Sequence, residues 1–291
     1  MKLILKFNLV FIAIFLIGLG VAGYMSNQLL QQNAREEILQ NARLVMETAL
    51  ATRSYTSSQV RPLLETQMKY TFLPQSVPAY SATEVFNGLR KKFPEYAYKE
   101  ATLNPTNPRD RTVDWEADVV NAFRNDPKLP EIIGERDAPL GRALYLARPI
   151  TVTDPGCLSC HTTPESTPAS VVRRYGTAGG YGWKLNETIG AQIVSVPLAV
   201  PMRMATEAHQ AMLVSLVGVF LFLLLLLNLL LWFFIIRPIR RLSHMADEVS
   251  TGNLDVPEVR FRSGDEVAGL AGSFNRMRIS LVKALKMLED E

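Results

Sequence analysis

Cys157, Cys160 and His161 lie within five residues of one another in the stretch DPGCLSCHTTPES, and the two thiols are the only cysteines of the chain. Three chemistries use such a spacing: a metal site, a redox or structural disulfide, and covalent attachment of a c-type haem. In the last, two thiols on one helical turn reach two vinyl groups and form thioethers. The next side chain, here His161, then ligates the iron through an imidazole nitrogen. A structural zinc site needs four protein ligands, and beyond these three the region offers only His209 or a carboxylate. A thioredoxin-like pair belongs in a βαβ setting that the flanking sequence lacks, whereas a plain disulfide needs only an oxidising compartment. The haem reading is favoured, with disulfide and zinc as alternatives.

A haem iron has a second axial position. No further histidine lies well inside this region except His209 at its border, so methionine thioethers are the protein candidates. An open or weakly occupied position is favoured, with Met68 and Met46 the best protein candidates ahead of Met202 and Met204. A thioether there raises the iron potential, although methionine more often simply packs. An open position admits a gas ligand; a filled one favours redox switching.

The compartment follows from hydropathy. Residues 7–25 and 211–236 carry no charge, and a helix crosses a roughly 30 Å hydrocarbon core in about 20 residues. Asn228 is a polar exception in the second run, placed to hydrogen-bond a neighbouring helix. A cleavable signal peptide shares the basic start and the small residues of GVAG, but the length of the first run favours an uncleaved anchor. Lys2 and Lys6 precede the first run and Arg237, Arg240 and Arg241 follow the second, which places both termini in the cytoplasm and the segment between on the exported side. Covalent haem attachment belongs to that side too. A net charge of +3 with no basic stripe argues against nucleic-acid binding.

Apolar residues at Leu30, Ala34, Ile38, Ala42, Val45 and Ala49 recur at helical spacing, and no proline appears before Pro62, which predicts a long helix rising from the first span. Beyond it come a short helix over Ser81–Lys92, a strand at YAYKEATL, a turn-rich NPTNPRD loop and a helix over Trp115–Arg124. GRALYLARPITV reads as a strand leading into the Cys157 turn, and the segment after Tyr175 reads as strands with a hairpin turn near Asn186. The glycines of GTAGGYG are read as turns, because no Gly-Lys-Ser/Thr follows them. The class expected is an α+β sensor domain with an antiparallel sheet.

After the second span, Ile239, Leu242, Met245 and Val249 form one stripe, and Val267, Leu270, Phe274, Met277, Leu281 and Leu285 another. Two amphipathic helices joined by a connector at Gly252-Asn253-Leu254-Asp255 cannot bury both stripes alone, so a dimeric parallel four-helix bundle is expected. Pro238, the connector, Asp265-Glu266-Val267 and Phe274-Asn275-Arg276-Met277 resemble a HAMP signalling module. That resemblance implies relay from an exported sensor to a cytoplasmic output. No kinase, cyclase or methyl-accepting region follows Glu291, so a separate partner of one of those kinds is expected.

VPAYSATEVF, YAYKEATLNPTNPRD, Trp115-Glu116, CLSCH and RRYGTAGGYGWKLNETIGAQIVSVPL resemble a bacterial family of PAS-like c-type haem sensor domains. The resemblance implies one covalent haem c per chain on Cys157 and Cys160, with His161 on the iron. It also makes Arg173 and Arg174 candidates for the haem propionates, and Asn104, Asn107 and Glu116 fit the family pattern. Some relatives use a cysteine as second ligand, and this chain has none to spare.

The resulting assignment is residues 1–6 cytoplasmic, 7–25 first transmembrane helix, 26–210 periplasmic haem-binding PAS-like sensor domain, 211–236 second transmembrane helix and 237–291 HAMP-like module. Such a chain is a non-enzymatic homodimeric sensor of the bacterial inner membrane, answering a redox partner or a gas ligand. The alternative is a membrane-tethered c-type cytochrome for periplasmic electron transfer.

Overall fold

The computed structural model describes residues 3–253, 255–259, 261 and 264–289, with backbone only for Leu3, Leu285, Lys286, Leu288 and Glu289. Expectations that fall on Lys2, Leu254 and the Leu285 side chain lie outside the described residues. The chain divides into two compact units, one over Ser26–His209 and one that joins the two chain ends, up to Met25 and from Gln210 onward.

In the first unit a long helix lies against a sheet. Helix α1 (Leu3–Tyr55) passes through a π-helical turn, Thr56–Val60, into α2 (Arg61–Met68). Pro62 therefore does not stop the helix; it follows directly on the π-helical turn, a local widening that accommodates its ring and missing N–H. Ala34, Ile38, Ala42, Met46 and Ala49 form the buried face of α1. Small residues at every second contact let the helix approach the sheet closely, while Ile38 and Met46 each contribute about 2 kcal/mol by leaving water. Val45, expected on that stripe, is only half-buried, and Met46 holds the central place.

Helix α3 (Pro78–Arg90) precedes strand β1 (Ala97–Thr102), and α4 (Asp114–Asn125) precedes β2 (Ile132–Ala138) and β3 (Gly141–Thr151). A four-residue helix, α5 (Leu158–His161), then α6 (Ala169–Tyr175), lead to β4 (Thr188–Pro197). The four strands form one antiparallel sheet in the order β1-β4-β3-β2. Its inward side toward α1 and α3 carries Tyr98, Leu144, Leu146, Val194 and Val196. The opposite side packs Ala101, Ala147, Ala191 and Ile193 against Val119, Val120 and Phe123 of α4. The α+β class with an antiparallel sheet and a long N-terminal helix holds.

Two expectations need correction. No hairpin forms around Asn186. That residue does turn the chain at φ 64°, but the residues before it form a glycine-rich loop, and only β4 follows as a strand. Strand β2 was not expected from the sequence. Its alternation is obscured because Gly134 lies under the Tyr145 ring and Glu135 is paired with Arg35 and Arg142.

Helix α7 (Ala199–Leu230) begins in the first unit and enters the second, where it continues through a π-helical turn into α8 (Arg237–Ser250). The helices containing residues 7–25 and 211–236 are each long and apolar enough to cross a membrane. They meet through paired amides, Asn8 Nδ2 to Asn228 Oδ1 and Asn228 Nδ2 to Asn8 Oδ1, both 2.9 Å, as well as stacked Phe15 and Phe220 rings. The neighbour expected for Asn228 is thus Asn8. Beyond the span, Leu242, Met245 and Val249 of α8 pack with Val256, Val259 and Ala271, the last on α9 (Glu266–Glu289). The buried Asn275 amide spans the connector backbone, donating to the Val259 carbonyl at 2.7 Å and accepting from its N–H at 3.2 Å.

Candidate functional site

The Asp154-Pro155-Gly156 turn sets up the cysteine helix. Asp154 Oδ1 accepts from Gly156 N at 2.8 Å and its carbonyl accepts from Cys157 N, so the chain enters α5 already turning. Cys157 ends that turn, and Cys160 and His161 lie one helical turn later. Both thiols are free and half-buried. Thr167, buried behind α5, donates to the Cys160 carbonyl at 2.9 Å and to that of Thr163 at 2.8 Å, satisfying a helix end too short to satisfy itself.

His161 is held from three sides. Its Nδ1 lies 2.7 Å from the carbonyl oxygen of Gly180. A carbonyl only accepts, so Nδ1 carries the proton and the neutral ring keeps its lone pair on Nε2. The Trp183 ring stacks on the imidazole, and Trp183 N donates to the His161 carbonyl at 3.1 Å. Thr106 Oγ1 is 3.4 Å from Nδ1. Burial pushes the imidazole below its ordinary pKa, partly offset by the Gly180 bond, so the ring is neutral near pH 7.

The loop that supplies Gly180 is fixed in turn by Asn104, whose Nδ2 donates to the Tyr181 carbonyl at 3.0 Å and whose Oδ1 accepts from Gly180 N at 3.1 Å. Gly180 adopts φ +87°, and a Cβ there would fall 1.9 Å from Thr106 Oγ1. Only glycine fits both the conformation and the contact.

Charges approach from α1 and α2. Arg53, beside the π-helical turn, pairs with buried Glu100 on β1, whose other oxygen accepts from Tyr98 Oη at 2.8 Å. Burial, then the Asp154 charge, push the Cys157 thiol up, while Arg61 and Arg53 draw it down. A thiol held protonated in this way is a poor thiolate nucleophile, unlike the reactive cysteine of a redox pair.

The structure thus gathers Cys157, Cys160 and His161 on one turn. Arg173 and Arg174 lie exposed on α6, the latter over the Tyr175 ring at 5.7 Å. Met68 is half-buried at the end of α2, and Phe72 just beyond it meets Tyr175 edge-on. Met46 lies in the core with Ile38, Ala42 and Ala49, and no residue of the Cys157 turn belongs to that cluster. Asn107 caps the Pro108–Asp110 turn, and Glu116 accepts from Val113 N at 2.9 Å and pairs with Lys99 at 2.6 Å. Sequence reasoning missed Thr106, Gly180, Trp183, Arg53 and Arg61. A glycine-rich loop was visible, but its contact with a residue 76 positions away was not.

Two free thiols a turn apart can each add to a vinyl group, and a neutral imidazole with its Nδ1 proton committed can donate Nε2 to a metal. This donor set fits a covalently held iron porphyrin. A four-ligand zinc site lacks support, since among the described residues no three metal-ligating side chains converge. Trp183 Nε1 is buried without a partner among the described residues, a donor left for an acceptor from outside the chain.

Comparison with known proteins adds two family matches. Residues 31–197 match the model of the Tll0287-like family, described as Tll0287, and residues 230–283 match the HAMP domain. The crystal structure of the cyanobacterial heme-protein Tll0287 aligns over 55% of this chain and 95% of its own, at 18% identity and a TM-score of 0.44. No curated protein matches the chain.

Proposed function

The chain belongs to the Tll0287-like family and carries a HAMP domain, and from that premise we propose that it is a transmembrane sensor whose periplasmic domain holds one covalent c-type haem and whose HAMP module relays a redox or gas signal to a cytoplasmic output partner. It is a signal-transducing protein of the inner membrane rather than an enzyme. The observation that carries the reading is the Cys157–His161 turn with Nδ1 of His161 bound to Gly180, which leaves Nε2 as the donor.

In this reading Cys157 and Cys160 supply the thioether sulfurs and His161 the proximal nitrogen. The bound haem supplies an iron that changes oxidation state or takes a gas. Asn104, Gly180 and Trp183 orient His161, and the Gly180 carbonyl sets the basicity of Nε2 through the proton on Nδ1. Arg173 and Arg174 remain the proposed propionate partners, joined by Arg61. Met68 is the preferred sixth ligand over Met46, because Met68 is half-buried on the helix that also carries Arg61, whereas Met46 already fills the core.

Residues 26–210 form the proposed PAS-like periplasmic domain between membrane helices 7–25 and 211–236, with residues 1–6 and 237–291 cytoplasmic. Leu270, Met277 and Leu281 are 54%, 60% and 42% exposed on α9, an apolar stripe that a second copy would cover in a parallel four-helix bundle. Signalling requires that the iron's states bind two conformations of the domain differently. The α1 helix and the start of α7 are the connections through which that difference would leave.

The deciding experiment is a pyridine haemochrome spectrum on protein matured with the c-type attachment machinery, beside a Cys157→Ala/Cys160→Ala control. A haem that survives denaturation in the parent and is lost in the control is the expected result. Absence of covalent haem in the parent would overturn the assignment. The ferrous spectrum with and without carbon monoxide then separates an open sixth position from a filled one.

A further inference from the structure

A second concavity lies in the sensor unit and uses none of the residues of the Cys157 turn. It is an open cavity of about 320 Å³ between α3, the start of α4 and the sheet face that α4 leaves uncovered. Its apolar wall includes Ala97, Ile193 and Trp115, and its polar wall includes Arg90, Arg109 and Arg136. This volume sits at the small end of the range for small-molecule sites.

The charges do not balance. Lys99 is matched by Glu116 at 2.6 Å, and Arg109 by Glu84 at 2.6 Å and Asp110 at 3.6 Å. Arg90 and Arg136 have no carboxylate partner among the described residues, which leaves the cavity with two unmatched cations. Arg136 is half-buried with its guanidinium 4.2 Å over the Trp115 ring. The Trp115 ring covers one side of the guanidinium, and no carboxylate among the described residues takes its N–H groups, a setting in which arginine can take a carboxylate through two parallel bonds.

We propose that this cavity binds a small organic carboxylate, with Arg136 and Arg90 as its anion-binding residues and Ile193 and Trp115 covering its hydrocarbon part. An inorganic anion would use the cations and leave the apolar wall unfilled. The sensor then has two inputs, one at the Cys157 turn and one here.

The test is isothermal titration of the full chain in detergent with succinate, propionate and inorganic phosphate. No residue is shared with the Cys157 turn, so the measurement decides whether or not haem is attached. Saturable heat at millimolar succinate or propionate, with none for phosphate, is expected. Arg136→Gln should weaken that binding about tenfold or more, with far-ultraviolet circular dichroism unchanged. If the glutamine variant fails to fold, Arg136→Lys keeps the charge but loses the fork, and should bind at least several-fold more weakly than the parent. Dilution heat alone for both carboxylates, phosphate binding as tight as succinate, or parent-like affinity in the arginine variants would each overturn the proposal.

Discussion

The carbonyl oxygen of Gly180 accepts the Nδ1 proton of His161 at 2.7 Å, across 19 residues of chain. The acceptor is a backbone group, so its position depends on whatever holds the loop. Asn104 holds it with two bonds, to Gly180 N and to the Tyr181 carbonyl. Orientation of the imidazole is therefore set by a residue on the far side of the sensor sequence.

Replacing Asn104 by alanine should loosen that carbonyl and make Nε2 a weaker donor to ferric iron. The midpoint potential should rise, by about 60 mV for each tenfold loss in preference for the oxidised state. Covalent haem content should stay at parent level. Potentiometric titration of the purified variant checks this; an unchanged potential would mean that the loop is held by other contacts.

Arg53 and Glu100 form a pair in which Glu100 is 5% exposed, with Tyr98 hydrogen-bonded to the same carboxylate. Arg53→Met should destabilise the sensor by about 3–5 kcal/mol, because it leaves a buried charge unpaired. Adding Glu100→Gln should recover much of that loss. Chemical denaturation of the two single variants and the double variant measures the coupling; additive effects would show that the pair contributes nothing as a pair.

Much of this arrangement is legible in the sequence, and the limit has a physical cause. The Cys157–His161 turn, the two uncharged spans and the α1 stripe are local patterns, with periods set by a single helix. The Asn104 clamp, the Arg53–Glu100 pair and the Trp183 stack join residues 76, 47 and 22 positions apart, and no periodicity reports them. Strand β2 fails for a related reason. Its Arg136 faces Trp115 instead of solvent, so a charged residue stands where the alternating pattern calls for an apolar one.

Asp110 gives a pH dependence of stability. Burial raises its carboxyl pKa to about 6, although Arg109 opposes the shift. In the unfolded chain the group titrates near its ordinary 3.8, so between those values the folded state binds a proton that the unfolded state lacks. The group therefore costs stability above pH 6 and regains it as pH falls toward 4. Asp110→Asn should stabilise the protein by about 1–3 kcal/mol at pH 8, with the difference closing near pH 4. Thermal melts at the two pH values check it, and an equal gain at both would exclude titration as the cause.

A parallel dimer places α9 stripes from two chains face to face. Met277→Cys in Cys157/Cys160-substituted protein should cross-link rapidly between chains when membranes are oxidised. Lys283→Cys, on the outer face of the heptad, should not. Comparable yields at both positions would rule out the parallel bundle.

The reciprocal amides of Asn8 and Asn228 restrict how motion can cross the membrane. Sliding one span by two residues, about 3 Å, stretches both 2.9 Å bonds to about 4.2 Å, beyond hydrogen-bonding range. Each loss costs about 0.6–1.7 kcal/mol in hydrocarbon. Tilting the helices about the same point keeps both bonds. The pair lies near the end of the spans that bears Lys6 and Arg237, so it acts as a fulcrum close to one membrane face. The displacement most readily available to the two helices of one chain is thus a scissoring, smallest at that fulcrum and largest at the opposite face.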